Sequence, residues 1–190
     1  MSLVDWVGFV TGVICVALIV VERDVNWPIG VVNSLAFVVV FGRAKLYSQM
    51  GLQIFYVLEG IYGWWMWTRR DPSSGRKLVR IGKTKTQMAA ILAVLTALGT
   101  AVLWRINLHT HDPAPFWDAL VTCGSLAAEY MLCLKLYEAW AVYCACDFIT
   151  LAITFRMKMW LALATYLVYT GLCVAGVIEW YRRLKQISAT

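Results

Sequence analysis

As a pattern of apolar and polar positions, the chain is a series of long apolar runs separated by short polar breaks. Residues 3–21 form the first run, interrupted only by Asp5 near its start. It lacks a basic start and a small-residue cleavage site, so it is expected to be a span and not a removed signal. Glu22 to Asn26 is a polar turn, and Pro28 opens a second run that reaches Phe41. Proline fits there because the first turn of a helix does not need its N–H. Arg43 and Lys45 mark the next break. The third run, 50–67, ends in Trp64, Trp65 and Trp67, aromatics suited to a membrane–water boundary. After a polar stretch over 68–87 come runs at 88–103, 116–134, 137–155 and 159–180. Runs of this length with so few charges predict an all-α integral membrane protein of seven transmembrane helices.

The runs repeat. A shift of 113 positions puts Asp5 on Asp118, Trp27 on Trp140, Lys45 on Lys158, Tyr56 on Tyr169, Gly63 on Gly176 and Trp67 on Trp180. Leu46 falls on Met159, Tyr47 on Trp160 and Gln53 on Tyr166, and no gap is needed from residue 5 to 67. Shared apolar composition explains Leu on Val but not Trp on Trp, so the expectation is a true internal repeat, a mark of transporters. The organisation expected is 3+1+3: a first three-helix unit at 1–67, a basic loop plus linker helix at 68–114, and a second unit at 115–190. With four crossings between them, the two units run in the same direction, as parallel repeats related by a pseudo-two-fold along the membrane normal.

Composition agrees with lipid. The chain is 61% apolar and 15% charged, against about 45–50% and about 25% for a soluble domain. The net charge of +6 would suit nucleic acid, but its distribution points to topology instead. With the N-terminus outside and the C-terminus cytoplasmic, Arg23, the loop bases Arg69, Arg70, Arg76, Lys77, Arg80, Lys83 and Lys85, then Lys135, Arg182, Arg183 and Lys185, all face the cytoplasm. Only Arg43, Lys45, Arg105, Arg156 and Lys158 fall outside. That bias orients the protein in an inner cell membrane, with the basic loop against its anionic leaflet. No nucleic-acid partner is expected.

Chemistry is sought among charges inside the runs, each of which costs at least about 2.5–3.5 kcal/mol in lipid. Glu59, Glu129, Glu138 and Asp147 qualify. Trp140, Tyr143 and Asp147 share one helix face by their spacing. Corresponding faces carry Gln53 and Tyr56 in the third run, Tyr166 and Tyr169 in the seventh, and Asn33 in the second. Aromatic rings, amides and one or two carboxylates suit a flat, cationic, hydrogen-bonding ligand held centrally between the two units. The alternative is that many of these rings only pack or anchor, chiefly Trp64, Trp65, Trp67 and Trp180. Six cysteines lie within runs without a CxxC pair, and the two histidines, His109 and His111, share one loop. Neither metal, cofactor nor disulfide is expected. With no nucleophile–base pair, HExxH or GxSxG, an enzyme is not expected either.

At these residues the chain resembles the PnuC vitamin transporters, whose best-known members carry nicotinamide riboside. The resemblance rests on Gly30, Asn33, Leu46, Tyr47, Leu52, Gln53, the run Ile61-Tyr62-Gly63-Trp64 and Trp67 in the first unit. In the second it rests on Pro115-Phe116-Trp117-Asp118, Lys135, Glu138, Trp140, Tyr166, Gly176 and Trp180. It implies a facilitator without a coupling ion, alternating access, trapping of the vitamin by phosphorylation inside, and a homotrimer. The chain departs from nicotinamide riboside carriers in having Glu138-Ala139-Trp140 for Glu-Asn-Trp, then Tyr143 and Asp147 for Trp and Asn, and Glu129 in the fifth run. Carboxylates in place of amides favour thiamine, which is cationic with an aminopyrimidine; nicotinamide riboside, also cationic, is the alternative, and neutral riboflavin a weaker one.

Overall fold

The computed structural model describes residues 3–43, 47–109 and 113–189; Lys45, Leu46 and His111 lie outside them. Among the described residues there are seven helices and no strand: α1 Leu3–Val20, α2 Asn26–Arg43, α3 Tyr47–Thr68, α4 Thr86–Asn107, α5 Pro115–Cys133, α6 Ala139–Arg156 and α7 Trp160–Ala189. Three helical segments, Thr86–Asn107, Ala139–Arg156 and Ala162–Ile187, are each long and apolar enough to cross a membrane. On α4 the side chains of Ile91, Val94, Leu95, Leu98 and Val102 are all more than half exposed. So continuous an apolar surface on a single helix belongs against hydrocarbon, not water.

The helices outrun the apolar runs where polar residues find partners. α7 continues well past Trp180, so Arg182, Arg183 and Lys185 ride on a helix instead of trailing from it. Arg183 Nε donates to Glu179 Oε1 one turn back at 2.8 Å, and Leu184, further along, is buried. Glu138, expected inside the sixth run, stands at its edge, where its carboxylate accepts the Thr84 backbone N–H at 3.0 Å and hydroxyl at 2.8 Å. It ties down the loop before α4.

By contact the chain divides into two compact units, Met1–Arg80 with Cys133–Lys135, and Ile81–Leu132 with Leu136–Thr190. In the first, α2 packs on α1 and α3. The buried indole of Trp27 lies flat on α3 at Gly63, where a Cβ would stand 2.5 Å from the ring. The same indole meets Trp67 edge-on, with centroids 5.4 Å apart. In the second, α6 packs on α7. Trp140 lies on Gly176, where a Cβ would stand 2.4 Å from the ring, and meets Trp180 edge-on at 5.5 Å. These two sockets occupy positions 113 apart in sequence. Glycine is required at both because any side chain would enter the indole, and each edge-to-face pair adds about 0.5–1.5 kcal/mol beyond its buried area.

Lys135 also departs from expectation. Counted in the sequence among the water-facing bases, it is 2% exposed. Its Nζ lies 2.7 Å from Glu22 Oε1 and 4.3 Å above the Trp67 ring. Glu22 and Lys135 are themselves 113 apart, and both have left-handed backbones, φ 56° and 54°. An ammonium taken out of water needs both a counter-charge and an electron-rich face, and it has them here.

Candidate substrate site

The second unit gathers most of the expected site residues. Tyr143 and Asp147 lie one turn apart on α6. The Tyr143 hydroxyl donates to Glu129 Oε2 across the gap to α5. From α7, the Cys173 thiol donates to Asp147 Oδ2 at 3.5 Å, and Cys144 lies within hydrogen-bond reach of Cys173. Tyr166, on α7, stands close enough to Asp147 to feel its charge, and meets Tyr169 edge-on at 6.0 Å. Tyr143 thus bridges α6 to Glu129 of α5, while Asp147 is met from α7 by Cys173 and Tyr166.

Asp147 is buried, 6% exposed, and its Oδ2 accepts the Cys173 thiol, while half-buried Glu129 accepts the Tyr143 hydroxyl on Oε2. Neither carboxylate has a Lys, Arg or His partner among the described residues. Helix approach at this level depends on small residues: Gly124 of α5 faces Cys146 so closely that a Cβ would come within 2.8 Å of its sulfur.

Trp140 sits differently from its neighbours on α6. It is 1% exposed, with one face on Gly176 and an edge on Trp180, and its Nε1 has no hydrogen-bond partner. So enclosed, it offers little ring to a ligand. Asn33, Gln53 and Tyr56 belong to the first unit. There the Thr11 hydroxyl of α1 donates to Asn33 Oδ1 at 3.2 Å, fixing the amide of α2. Gln53 and Tyr56 lie half-buried on α3.

Sequence reasoning missed Cys173 as the partner of Asp147 and took the cysteines as packing only. The signal was present: Cys173 lies in register with Tyr166 and Tyr169 on the face already singled out. A groove of about 730 Å³ lies elsewhere in this unit, along Trp117, Phe148, Ile153 and Arg156. It contains none of the carboxylates.

A family model described as nicotinamide mononucleotide transporter matches residues 2–182. The chain is 22% identical over 210 residues to the nicotinamide riboside transporter PnuC of Escherichia coli, covering 98% of this chain and 88% of that protein. It is 27% identical over 192 residues to the riboflavin/roseoflavin transporter RibM of Streptomyces davaonensis, covering 97% and 87%. A third relative, the nicotinamide riboside transporter PnuC of Neisseria mucosa, is 22% identical over 194 residues, covering 96% and 73%. Among solved structures, the crystal structure of the vitamin B3 transporter PnuC superposes with a TM-score of 0.71 at 22% identity, covering 95% of this chain and 81% of that one. The fold is therefore shared.

Proposed function

The chain belongs to the nicotinamide mononucleotide transporter family, the PnuC-type vitamin transporters of the membrane and not enzymes, and on that premise we propose that it carries nicotinamide riboside by alternating access, with later metabolic trapping. The observation that carries this reading is similarity along nearly the whole chain to proteins named for that vitamin. The site agrees chemically: the pyridinium of nicotinamide riboside is a flat cation, and Tyr143, Tyr166 and Tyr169 supply rings beside Glu129 and Asp147.

Thiamine, which the carboxylates favour on sequence grounds, gains no support from these relatives. Both vitamins are cations, so Glu129 and Asp147 alone do not separate them. The finer arrangement belongs to the same proposal: parallel three-helix repeats about a pseudo-two-fold along the membrane normal, units at 1–67 and 115–190 joined by 68–114, N-terminus outside, C-terminus cytoplasmic, and a homotrimer. Its support is the paired tryptophan sockets and the distribution of basic residues. Asn33, Gln53 and Tyr56 supply the first unit's contacts to the vitamin.

Calorimetric titration of purified protein with nicotinamide riboside, thiamine and riboflavin tests the reading. Nicotinamide riboside is expected to bind tightest. Preference for thiamine would restore the carboxylate argument, and preference for riboflavin would overturn the cationic site altogether.

A further inference from the structure

The apolar face of α4 is not flat. With Tyr130 of α5 it forms a groove of about 500 Å³, lined by Met88, Ile91, Leu92 and Leu95 and with Lys85 at its rim. Ile91 and Leu95 are each 59% exposed. Residues 85–95 rise about 15 Å along a helix, half of the roughly 30 Å that a bilayer's hydrocarbon core spans. The groove is therefore one leaflet deep, and it starts where the polar stretch at 68–87 gives way to the apolar run.

The rim is basic and held in place. The Gly82 carbonyl accepts the Tyr137 N–H at 3.1 Å, and the Glu138 carboxylate accepts both the N–H and the hydroxyl of Thr84. Lys83 and Lys85 flank that pinned threonine. Both are exposed, and neither forms an ion pair among the described residues. Glu138 itself bonds to Thr84 and to neither lysine. Between Asp71 and Asp112 the chain has no acidic residue, so nothing on α4 opposes an anion at this rim. A lysine at such a boundary lays its aliphatic stem along apolar surface and keeps its ammonium at headgroup level.

We infer that this groove binds one anionic phospholipid, with an acyl chain along Ile91, Leu92 and Leu95 and the phosphate at the Lys83 and Lys85 ammoniums. The two unanswered positive charges select the headgroup. A leaflet-deep apolar groove selects a lipid over a soluble phosphate. The site contains none of the residues assigned to the vitamin and does not depend on which vitamin is carried. Its effect is to anchor the start of α4, which Thr84 and Glu138 already tie to the start of α6.

Native mass spectrometry tests this on purified protein exchanged into detergent with phosphatidylglycerol or phosphatidylcholine. One phosphatidylglycerol should be retained per chain, in preference to phosphatidylcholine. Lys83→Gln combined with Lys85→Gln should weaken that retention by about fivefold for each lysine lost. Arg76→Gln combined with Arg182→Gln removes two exposed bases that do not line the groove, and should leave retention unchanged. Leu95→Trp fills the groove and spares the lysines, so it should also weaken retention. All these positions are exposed, so the fold is not at stake in any variant. Equal retention of the two lipids, or equal losses from the arginine and lysine pairs, would mean diffuse attraction and overturn the site. Displacement of the lipid by soluble glycerol phosphate would overturn it too, because the groove would then take no part. If Leu95→Trp alters the oligomer mass and leaves lipid retention as it was, the groove belongs to a second copy of this chain and the lipid proposal fails.

Discussion

The two halves share a scaffold and differ in what they hang on it. Trp27, Gly63 and Trp67 in the first half make the same contacts as Trp140, Gly176 and Trp180 in the second. Position by position, however, Val16, Gly30, Ser34 and Gly60 stand where the second half has Glu129, Tyr143, Asp147 and Cys173. Where Thr11 and Asn33 hold an amide in place, the second half has Gly124 and Cys146 in tight contact. The packing contacts recur at positions 113 apart while the polar residues there differ. A scaffold needs both copies to fold alike, but an asymmetric substrate does not need the same groups twice.

The largest effects should come from the Glu22–Lys135 ion pair, whose residues stand 113 apart in sequence. Glu22→Ala leaves the Lys135 ammonium buried without its carboxylate and is expected to cost about 3–5 kcal/mol, read as a lowered midpoint of unfolding in detergent. Lys135→Met should cost less, because Glu22 lies nearer water, at 20% side-chain exposure. Equal costs would show that the pair is worth no more than its packing.

Next in size are the sockets, which test whether the scaffold is symmetric. Gly63→Ala and Gly176→Ala each place a methyl group within 2.4–2.5 Å of an indole. The ring has no free end to swing, so each should cost about 1–3 kcal/mol, and by similar amounts. A tolerated substitution in one half alone would mean that the halves do not use their tryptophans alike.

Binding should instead be strongly asymmetric. Asp147→Asn is expected to weaken vitamin affinity roughly ten- to a hundred-fold, about 1.5–3 kcal/mol, if the carboxylate makes a charge-assisted bond. Ser34→Ala, at the equivalent position, should change it little. The measurement is calorimetry on both variants, and a larger loss from Ser34→Ala would reverse the division of labour between the halves.

The helices were legible in the sequence because lipid imposes long apolar runs, and the expectation of a repeat rested on Trp and Gly, rare enough to mark a register. Tyr143, Asp147 and Glu129 were singled out for the opposite reason, as polar groups where lipid forbids them, and the structure joins Tyr143 to Glu129 and buries Asp147. Lys135 was not: charge counting assigns every lysine to water, and only the Trp67 ring and Glu22 make its burial affordable. Glu138 was placed inside the sixth run, whereas α6 begins one residue later at Ala139, because apolar runs do not reveal where a helix starts. Trp140 was legible as an aromatic on the site's face but not as the occupant of a glycine socket, which depends on how closely α6 and α7 approach.

The smallest effect is expected where the halves part company. After Trp180, α7 runs on through Leu184, but after Trp67, α3 stops at Thr68 and the chain turns at Asp71. Asp71 Oδ1 accepts the Ser73 backbone N–H at 2.8 Å and its hydroxyl at 2.7 Å, and Oδ2 accepts the Ser74 hydroxyl at 3.0 Å. The Ser73 hydroxyl foremost, then the Ser73 N–H, holds this exposed carboxyl below its usual value of 3.8. A carboxyl with a lowered folded-state value stabilises its turn above its ordinary range, and the contribution disappears as pH falls through the lowered value. Acidification should therefore loosen this loop while leaving the Trp140–Trp180 socket untouched. Carboxyl titration followed by NMR should find Asp71 below 3.8, and Ser73→Ala should move it back up. If Ser73→Ala leaves the titration unchanged, the turn is held by Pro72 and the Arg70 contact to the Gly75 carbonyl, and the first half ends its last helix without help from the aspartate.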